Sequence, residues 1–226
     1  MLILVLAVAI TVRAVIGLGP FSGKFNTPEV AKEKLHAVPW GDFEVHRLWI
    51  EITTNLNTTE WYEETQWNNK TYWPMDYPPL CAYFHNVVGG NIVKATQPEG
   101  FQLGKSYGYQ GDNMVIMMRI WVIVAEFSVF VPGLLYLVSV LFGHLGRKTA
   151  LTIFFSVLMS GPALYADHGH FQFNQVMHGF ILFAIAFMIR GHLRLAVVAM
   201  TLAVNFKQTA FYFVLPFGVF ALVQVI

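Results

Sequence analysis

The sequence has a single cysteine and few charged side chains. Because Cys81 is alone among 226 residues, no disulfide can form within the chain and no zinc site can be built on cysteines. Charged residues make up only 12% of the chain, and the formal net charge is +1. A chain without a basic field attracts polyanions weakly, which excludes nucleic acid as a partner on electrostatic grounds.

Apolar residues are abundant instead, at 56% of the chain, which favours a membrane protein over a soluble domain. The apolar runs that we considered as spans lie at 1–18, 119–142, 149–166, 174–189, 195–204 and 209–226. A span needs roughly 20 mostly apolar residues, so the crossing of 195–204 stays open. The first run has no basic segment ahead of it, which predicts an anchoring helix rather than a cleaved signal peptide. The last run is still apolar at its end, which favours a chain cut within a larger membrane protein.

The acidic residues are concentrated in one stretch. Residues 19–118 hold eleven of the 13 acids, which predicts a large aqueous loop. The connections at 143–148 and 190–194 carry basic charge and no acid, which the positive-inside rule assigns to the cytoplasm. The large loop is then lumenal. The glycosylation sequons that begin at Asn57 and Asn69 agree with this topology.

The first polar cluster of this loop is Gly41-Asp42-Phe43-Glu44-Val45-His46-Arg47-Leu48-Trp49. On a helix, Asp42, His46 and Trp49 share one face. One interpretation is that Asp42 caps the helix while His46 and Trp49 lie at a membrane interface. The other is that Asp42 is a general base.

A second cluster, Trp73-Pro74-Met75-Asp76-Tyr77-Pro78-Pro79-Leu80, is stiffened by its prolines. Asp76 can simply accept turn hydrogen bonds, as aspartates in turns commonly do. A rigid carboxylate beside aromatic rings is also suited to holding a sugar, whose hydroxyls bond carboxylates and whose CH face packs on a ring.

A third cluster, from Asp167 to Asn174, follows directly after an apolar run. Polar groups at such a position are costly and usually functional. His168 and His170 lack the i, i+4 spacing of a helical zinc pair, so hydrogen bonding to a phosphate is the better interpretation than metal binding. Lys207 could place a positive charge on the same phosphate, or it could extend to the membrane interface. Arg119 and Glu126 share a helix face and could pair with each other or contact a substrate.

Taken in order, these clusters, together with Trp61-Tyr62, His170-Phe171-Gln172-Phe173-Asn174 and Phe206-Lys207-Gln208, resemble the dolichyl-phosphate-glucose glucosyltransferases that extend the lipid-linked oligosaccharide of N-glycosylation. The resemblance extends from about residue 39 to residue 216. Two sister enzymes share the pattern, one adding the first glucose and one the second. The run from Trp73 to Tyr83 favours the first-glucose enzyme, whereas Phe43-Glu44-Val45-His46-Arg47 is closer to the second.

The resemblance implies an α-helical integral membrane protein of the class C glycosyltransferase fold, present here in part. Its expected regions are a first transmembrane helix at 1–18, a lumenal loop with interfacial helices at 19–118 and a multi-helix transmembrane region at 119–226. The expected location is the endoplasmic reticulum membrane, with a multi-pass topology and a lumenal active face. The expected partners are membrane lipid, the donor dolichyl-phosphate glucose and the dolichol-linked oligosaccharide acceptor.

The implied reaction is an inverting transfer that gives an α-1,3-glucoside, with Asp42 as the catalytic base. Phosphate leaves as a stable anion, so no strong general acid is required and no cofactor or metal is expected. The residues expected to bind substrate are Glu44, His46, Arg47, Asp76, Tyr77, His168, His170, Gln172, Asn174 and Lys207.

Three alternatives remain open at the level of sequence. A dolichyl-phosphate-mannose mannosyltransferase also has an acidic motif in its first loop, but Tyr77-Pro78-Pro79 and His170-Phe171-Gln172 argue against it. A transporter would place its acids at midplane and show an internal repeat, and neither feature is present. The third alternative is an inactive fragment or an assembly subunit.

Overall fold

The structure is a computed structural model that describes residues 1–24 and 41–223. The part of the predicted loop that falls at 25–40 lies outside the described residues. The described part of the chain is helical. Its α-helices are α1 (Leu2–Gly17), α2 (Asp42–Asn55), α3 (Pro79–Phe84), α4 (Asp112–Phe142), α5 (Arg147–Leu158), α6 (Gly161–Leu164), α7 (Asn174–Ile189), α8 (Leu193–Phe206) and α9 (Phe211–Val223).

Two π-helical segments extend short α-helices. His85–Lys94 continues α3, and Tyr165–Phe171 continues α6. Short 3₁₀ turns lie at Thr58–Glu60, Pro98–Phe101, Gly143–Leu145 and Gln208–Ala210. π-helical segments are rare and occur often at functional sites. The Tyr165–Phe171 segment contains the first five residues of the third polar cluster of the sequence.

Among the described residues, one helix is long and apolar enough to cross a membrane by length and composition: α4 with its 3₁₀ extension, Asp112–Leu145, at 34 residues. It contains the predicted span 119–142 and begins seven residues earlier. A helix pair bent by 50°, Arg147–Leu158 with Gly161–Phe171, passes the same test when its two halves are taken together. The apolar helices at Leu2–Gly17, Asn174–Ile189, Leu193–Phe206 and Gln208–Val223 are shorter.

Helix α4 is the centre of the packing, with α7 against it and α8 against α7. Two glycines let α4 and α7 approach closely. A Cβ on Gly179 would lie 2.6 Å from the Phe130 backbone nitrogen, and one on Gly133 would lie 2.7 Å from the Gly179 carbonyl oxygen. Small residues at such crossings are typical of helices that pack in membranes, where close backbone contact is a main attraction.

Below the predicted site, a buried ionic group ties four segments together. The guanidinium of Arg13 in α1 donates to Glu126 of α4, with Nη2 2.7 Å from Oε1. The same Nη2 also donates to the Leu158 carbonyl at the end of α5. His168 Nε2 lies 2.6 Å from the other Glu126 oxygen. Glu126 therefore pairs with Arg13 and His168 rather than with Arg119, which was the pairing considered from the sequence.

Arg119 instead holds the backbone that follows Tyr165. Its guanidinium donates to the carbonyls of His168 and Gly169, at 2.6 and 3.3 Å. The rings of Phe21 and Phe171 lie 5.5 and 5.4 Å from the guanidinium carbon. Arg119 and Glu126 thus fix the same polar segment from two heights along α4.

Candidate active site

Asp42 begins α2, with its carboxylate partly exposed. The N-cap of this helix is Gly41, and no side-chain cap hydrogen bond is present. The Asp42 carboxylate therefore does not make the capping contact that was considered from the sequence. It turns instead to the third cluster, where its Oδ2 accepts a hydrogen bond from Gln172 Nε2 at 2.6 Å and lies 2.8 Å from His170 Nε2.

A chain of polar contacts continues from Gln172. Its carbonyl oxygen accepts hydrogen bonds from Asn174 Nδ2 at 2.7 Å and from Lys207 Nζ at 3.2 Å. The same ammonium donates to Asn174 Oδ1 at 2.6 Å. It also lies 4.8 Å from the centre of the Tyr77 ring. The three polar clusters of the sequence and Lys207 therefore meet at one place.

Asp76 stands at the edge of this group and is exposed. Partial desolvation by neighbouring groups raises the pKa of its carboxyl, and a backbone hydrogen bond and the positive charge of Lys207 oppose that rise. The turn is braced by Tyr62, whose hydroxyl donates to the Tyr77 carbonyl at 2.8 Å. Asp76 and Tyr77 thus present a carboxylate and a ring beside the Asp42 contacts.

Asp167 supports the cluster from below. Its two oxygens accept hydrogen bonds from the backbone nitrogens of Asn174 and Gln175, at 3.1 and 2.8 Å, and Oδ1 also accepts from Asn174 Nδ2. These nitrogens are the first two of α7 and have no acceptor within the helix. A buried aspartate here holds Asn174 in place and complements the helix dipole.

Phe171 joins His170 to Gln172 with a backbone φ of 85°, the left-handed region that bulky residues rarely occupy. Its ring is fully buried, 5.1 Å from Phe43 and 5.9 Å from Phe173 between ring centres. Strained residues of this kind persist only where packing holds them, and they cluster at active sites. The reversed backbone lets both neighbours of Phe171 reach the same oxygen of Asp42.

Glu44 and Arg47 lie inside the protein rather than on the site. Arg47 donates to both oxygens of Glu44, at 2.6 and 2.7 Å, to Glu51, and to the Gly100 carbonyl at 2.8 Å. Burial alone lowers the pKa of Arg47, but the two carboxylates outweigh it and raise the pKa above its usual value. The Arg47 side chain is fully buried, and its bond to the Gly100 carbonyl connects α2 to the loop around residue 100.

His46 is also buried. Its Nδ1 lies 2.9 Å from His85 Nε2, and His85 Nδ1 lies 2.7 Å from the Cys81 carbonyl. Since only an N–H can bond a carbonyl, His85 donates through Nδ1 and accepts from His46 through Nε2. Burial lowers the pKa of His46 and lowers that of His85 to about 4. Both rings are therefore neutral at pH 7 and pack against Trp49, whose ring contacts Tyr77.

The structure thus separates the predicted binding residues into two groups. Asp42, Asp76, Tyr77, His170, Gln172, Asn174 and Lys207 meet at the site. Glu44, His46, Arg47 and His168 are buried with protein partners, so a direct contact between them and substrate stays a prediction and would require those partners to move.

One neighbour was not predicted from the sequence. Ser22 accepts a hydrogen bond from the Asp42 backbone nitrogen through its hydroxyl, at 3.2 Å, and its own nitrogen donates to the His170 carbonyl at 3.1 Å. A Cβ on Gly41 would lie 1.9 Å from that hydroxyl, so the close approach requires glycine. A serine in a short polar segment carries no signal that would have identified it.

The Asp42 carboxylate is partly exposed and lies beside amide, imidazole and ammonium groups. These are the donors and acceptors of a group-transfer enzyme that acts on sugars and phosphates. The model of the ALG6, ALG8 glycosyltransferase family matches residues 5–226. The chain belongs to this family, which confirms the family expected from the sequence motifs.

Curated relatives agree. A probable dolichyl pyrophosphate Man9GlcNAc2 alpha-1,3-glucosyltransferase of Dictyostelium discoideum is 34% identical over 211 residues, 93% of this chain and 39% of the relative. The Drosophila melanogaster protein with the same description is 36% identical over 94% of this chain and 42% of the relative. The Saccharomyces cerevisiae dolichyl pyrophosphate Man9GlcNAc2 alpha-1,3-glucosyltransferase is 36% identical over 91% of this chain and 36% of the relative. The chain therefore spans about two fifths of the length of these relatives.

Proposed function

We propose that the protein containing this chain transfers glucose from dolichyl-phosphate glucose to the mannose-capped arm of the dolichol-linked oligosaccharide, forming an α-1,3 linkage with inversion. The observation that carries the proposal is the asymmetry of Asp42. Oδ2 is held by Gln172 and His170, whereas Oδ1 accepts no hydrogen bond from residues 1–24 or 41–223. A carboxylate with one oxygen fixed and one open is oriented to take a proton from an acceptor hydroxyl.

In the proposed reaction, the acceptor 3-hydroxyl loses its proton to Asp42 as its oxygen forms a bond to C1 of glucose. The bond between C1 and the phosphate oxygen breaks, and its electron pair leaves with dolichyl phosphate. The attack comes from the face opposite the phosphate, which converts a β-linked donor into an α-linked product. Lys207 and His170 are the nearby groups that can stabilise charge on the leaving phosphate.

The buried residues have a different role in this proposal. Glu44, Arg47 and His46 fix α2, which carries Asp42, and His168 fixes the segment that carries His170 and Gln172. Asp76 and Tyr77 would hold the acceptor sugar, the carboxylate through hydroxyls and the ring through a CH face. No metal takes part.

The first-glucose assignment is favoured by the relatives, whose descriptions name the Man9GlcNAc2 acceptor, which carries no glucose. The second-glucose enzyme is the alternative. The test is an assay of the full-length protein with dolichyl-phosphate glucose and acceptors that carry either no glucose or one glucose. Transfer to the unglucosylated acceptor supports the proposal, whereas transfer only to the monoglucosylated one assigns the second step.

We also propose a multi-pass topology in the endoplasmic reticulum membrane with residues 19–118 in the lumen. The supporting observations are the apolar helix Asp112–Leu145 and the exposure of both sequon asparagines, Asn57 and Asn69. Protease added outside sealed microsomes should leave the stretch from Asn57 to Gly100 intact. Cleavage within this stretch would show that the topology is inverted, and the proposal of a lumenal site would then fail as well.

A further inference from the structure

A cavity of about 600 Å³ lies between α1 and the first half of α4, beside the site but behind the Phe21 ring. Its apolar wall includes Leu18, Ile116 and Ile120, which are 78, 52 and 42% exposed. Its polar lining consists of Lys24, Gln110, Asp112 and Arg119. The volume lies within the range of small-molecule sites.

Arg119 is the unusual member of this lining, because it is a buried cation with no anion paired to it among residues 1–24 and 41–223. Its side chain is almost fully enclosed, at 7% exposure, and no carboxylate forms an ion pair with it in the described part of the chain. The two carbonyls of His168 and Gly169 use two of its five N–H groups. The Nε–H is buried and has no acceptor among the described residues. A desolvated charge left in this state is costly.

The position of Arg119 along α4 indicates which kind of anion would reach it. Seven residues separate it from Asp112 at the helix start, so it lies about 10 Å along the axis from that end. Asp112 is therefore too far along the helix to neutralise it, and it already complements the helix amino terminus. Two isoleucines of the lining continue beyond Arg119, the exposed Ile120 and the half-buried Ile123. Polar groups at the entrance and apolar side chains deeper along a long apolar helix match a lipid, with its headgroup above its chains.

We propose that this cavity binds the phosphate of a membrane lipid through the Arg119 guanidinium, with the lipid chain along α4. A planar guanidinium is suited to phosphate oxygens, which accept paired hydrogen bonds from it. Lys24 at the entrance adds a second positive charge. Because Arg119 also holds the His168 and Gly169 carbonyls, an occupied cavity would restrain the segment that brings His170 and Gln172 to Asp42.

Two lipids share this chemistry, namely a bulk anionic phospholipid and the dolichyl phosphate of the donor. The test uses the full-length protein, delipidated in detergent and titrated with phosphatidylinositol or with citronellyl phosphate, a short isoprenoid phosphate, with bound lipid counted by native mass spectrometry. Tighter binding of phosphatidylinositol assigns the cavity to bulk lipid. Tighter binding of citronellyl phosphate would assign it to the donor lipid and would contradict the placement of the donor phosphate beside Lys207 and His170 proposed above. The readout is binding, so it holds whether or not the protein has the glucosyltransferase activity proposed above.

Two variants decide the outcome. Arg119→Gln should weaken binding of the preferred probe about 10-fold or more, because a charge-assisted bond to the phosphate is lost. Ile116→Trp fills the cavity from its lipid-facing wall, leaves Arg119 intact and should weaken binding as well. Lys105→Gln, an exposed lysine outside the cavity, is the matched control and should bind as the unaltered protein does. Equal binding by all forms, or a loss confined to Arg119→Gln, would overturn the proposal.

Discussion

Asp42 and Gln172 are 130 residues apart in the chain and are joined by a hydrogen bond of 2.6 Å between Oδ2 and Nε2. The bond joins α2 to the third polar cluster, so it depends on how both are packed on α4. Because the Gln172 amide nitrogen can only donate, the bond fixes the orientation of the Asp42 carboxylate.

Removal of the proposed base should strongly lower turnover while leaving the fold intact. In Asp42→Asn the side chain keeps its size but no longer accepts a proton, so kcat should fall about 10²-fold or more. Acceptor binding should be nearly unchanged. Steady-state assays of the full-length enzyme measure both quantities. Glu63→Gln, an exposed carboxylate in the same loop, is the control. A near-normal kcat for Asp42→Asn would return Asp42 to a structural role.

Asp76 should act on acceptor binding rather than on proton transfer. Asp76→Asn removes a charged acceptor of sugar hydroxyl bonds that is present in the ground state as well as in the transition state. We expect the KM for the oligosaccharide to rise about 10-fold, with a smaller change in kcat. Varying the acceptor concentration at saturating donor separates the two effects. A dead Asp76→Asn beside an active Asp42→Asn would reverse the two assignments.

The enclosed Arg47 group should be a main source of stability for the loop. Arg47→Met leaves the carboxylates of Glu44 and Glu51 buried without their partner, which should lower the free energy of unfolding by about 3–5 kcal/mol. Lys70→Met breaks the exposed pair with Glu63, whose closest atoms are 3.6 Å apart, and should cost less than about 1 kcal/mol. Thermal unfolding in detergent compares the two. Similar losses would mean that the Arg47 group is not specially stabilising.

The neutral pair His46 and His85 should make the protein sensitive to acid. Their pKa values lie below the unfolded value of about 6.5, so the unfolded state binds more protons as pH falls. The stabilisation is complete above about pH 6.5 and should decrease from there toward pH 4, by about 1.4 kcal/mol per pH unit for each histidine. His85→Gln should flatten this decline in melting temperature, whereas the exposed His192→Gln should leave its slope unchanged.

Activity should not require a divalent metal. Within residues 1–24 and 41–223 no group of three or more histidine, cysteine, aspartate or glutamate side chains is arranged to hold an ion. In the proposed reaction, Lys207 and His170 supply the groups that stabilise the leaving phosphate. We expect full-length enzyme to keep its rate after exhaustive chelation. Loss of activity that one divalent ion restores would contradict this expectation.

The members of the site around Asp42 could be predicted because each lies in a short motif whose chemistry is visible locally. Asp42, Gln172 and Lys207 fall in separate motifs, and all three meet. The buried group could not be predicted in the same way. Glu44 lies three residues before Arg47, and Glu51 lies four residues after it. These spacings are also those of ion pairs on an ordinary solvated helix face. Only the Gly100 carbonyl and the packing around it reveal that this face is covered.

The ion-pair partner of Glu126 could not be predicted from the sequence for a related reason. Arg119, on the same helix face, was the nearest cation in the chain, whereas Arg13 is 113 residues away. Helical periodicity predicts which residues share a face but not which helix packs against that face. The same limit applies to Ser22, whose role depends wholly on the close approach of Gly41.

The left-handed backbone of Phe171 implies that activity and overall folding can be lost separately. A phenylalanine in this conformation stores about 1–3 kcal/mol, which the packing of its ring against Phe43 and Phe173 must offset. If that packing loosens, as in a harsh detergent, the residue can relax to an extended backbone while the long helices persist. His170 and Gln172 would then move away from Asp42. A preparation can therefore keep its full helical content and have no working site, and transfer activity is the more sensitive measure of its quality.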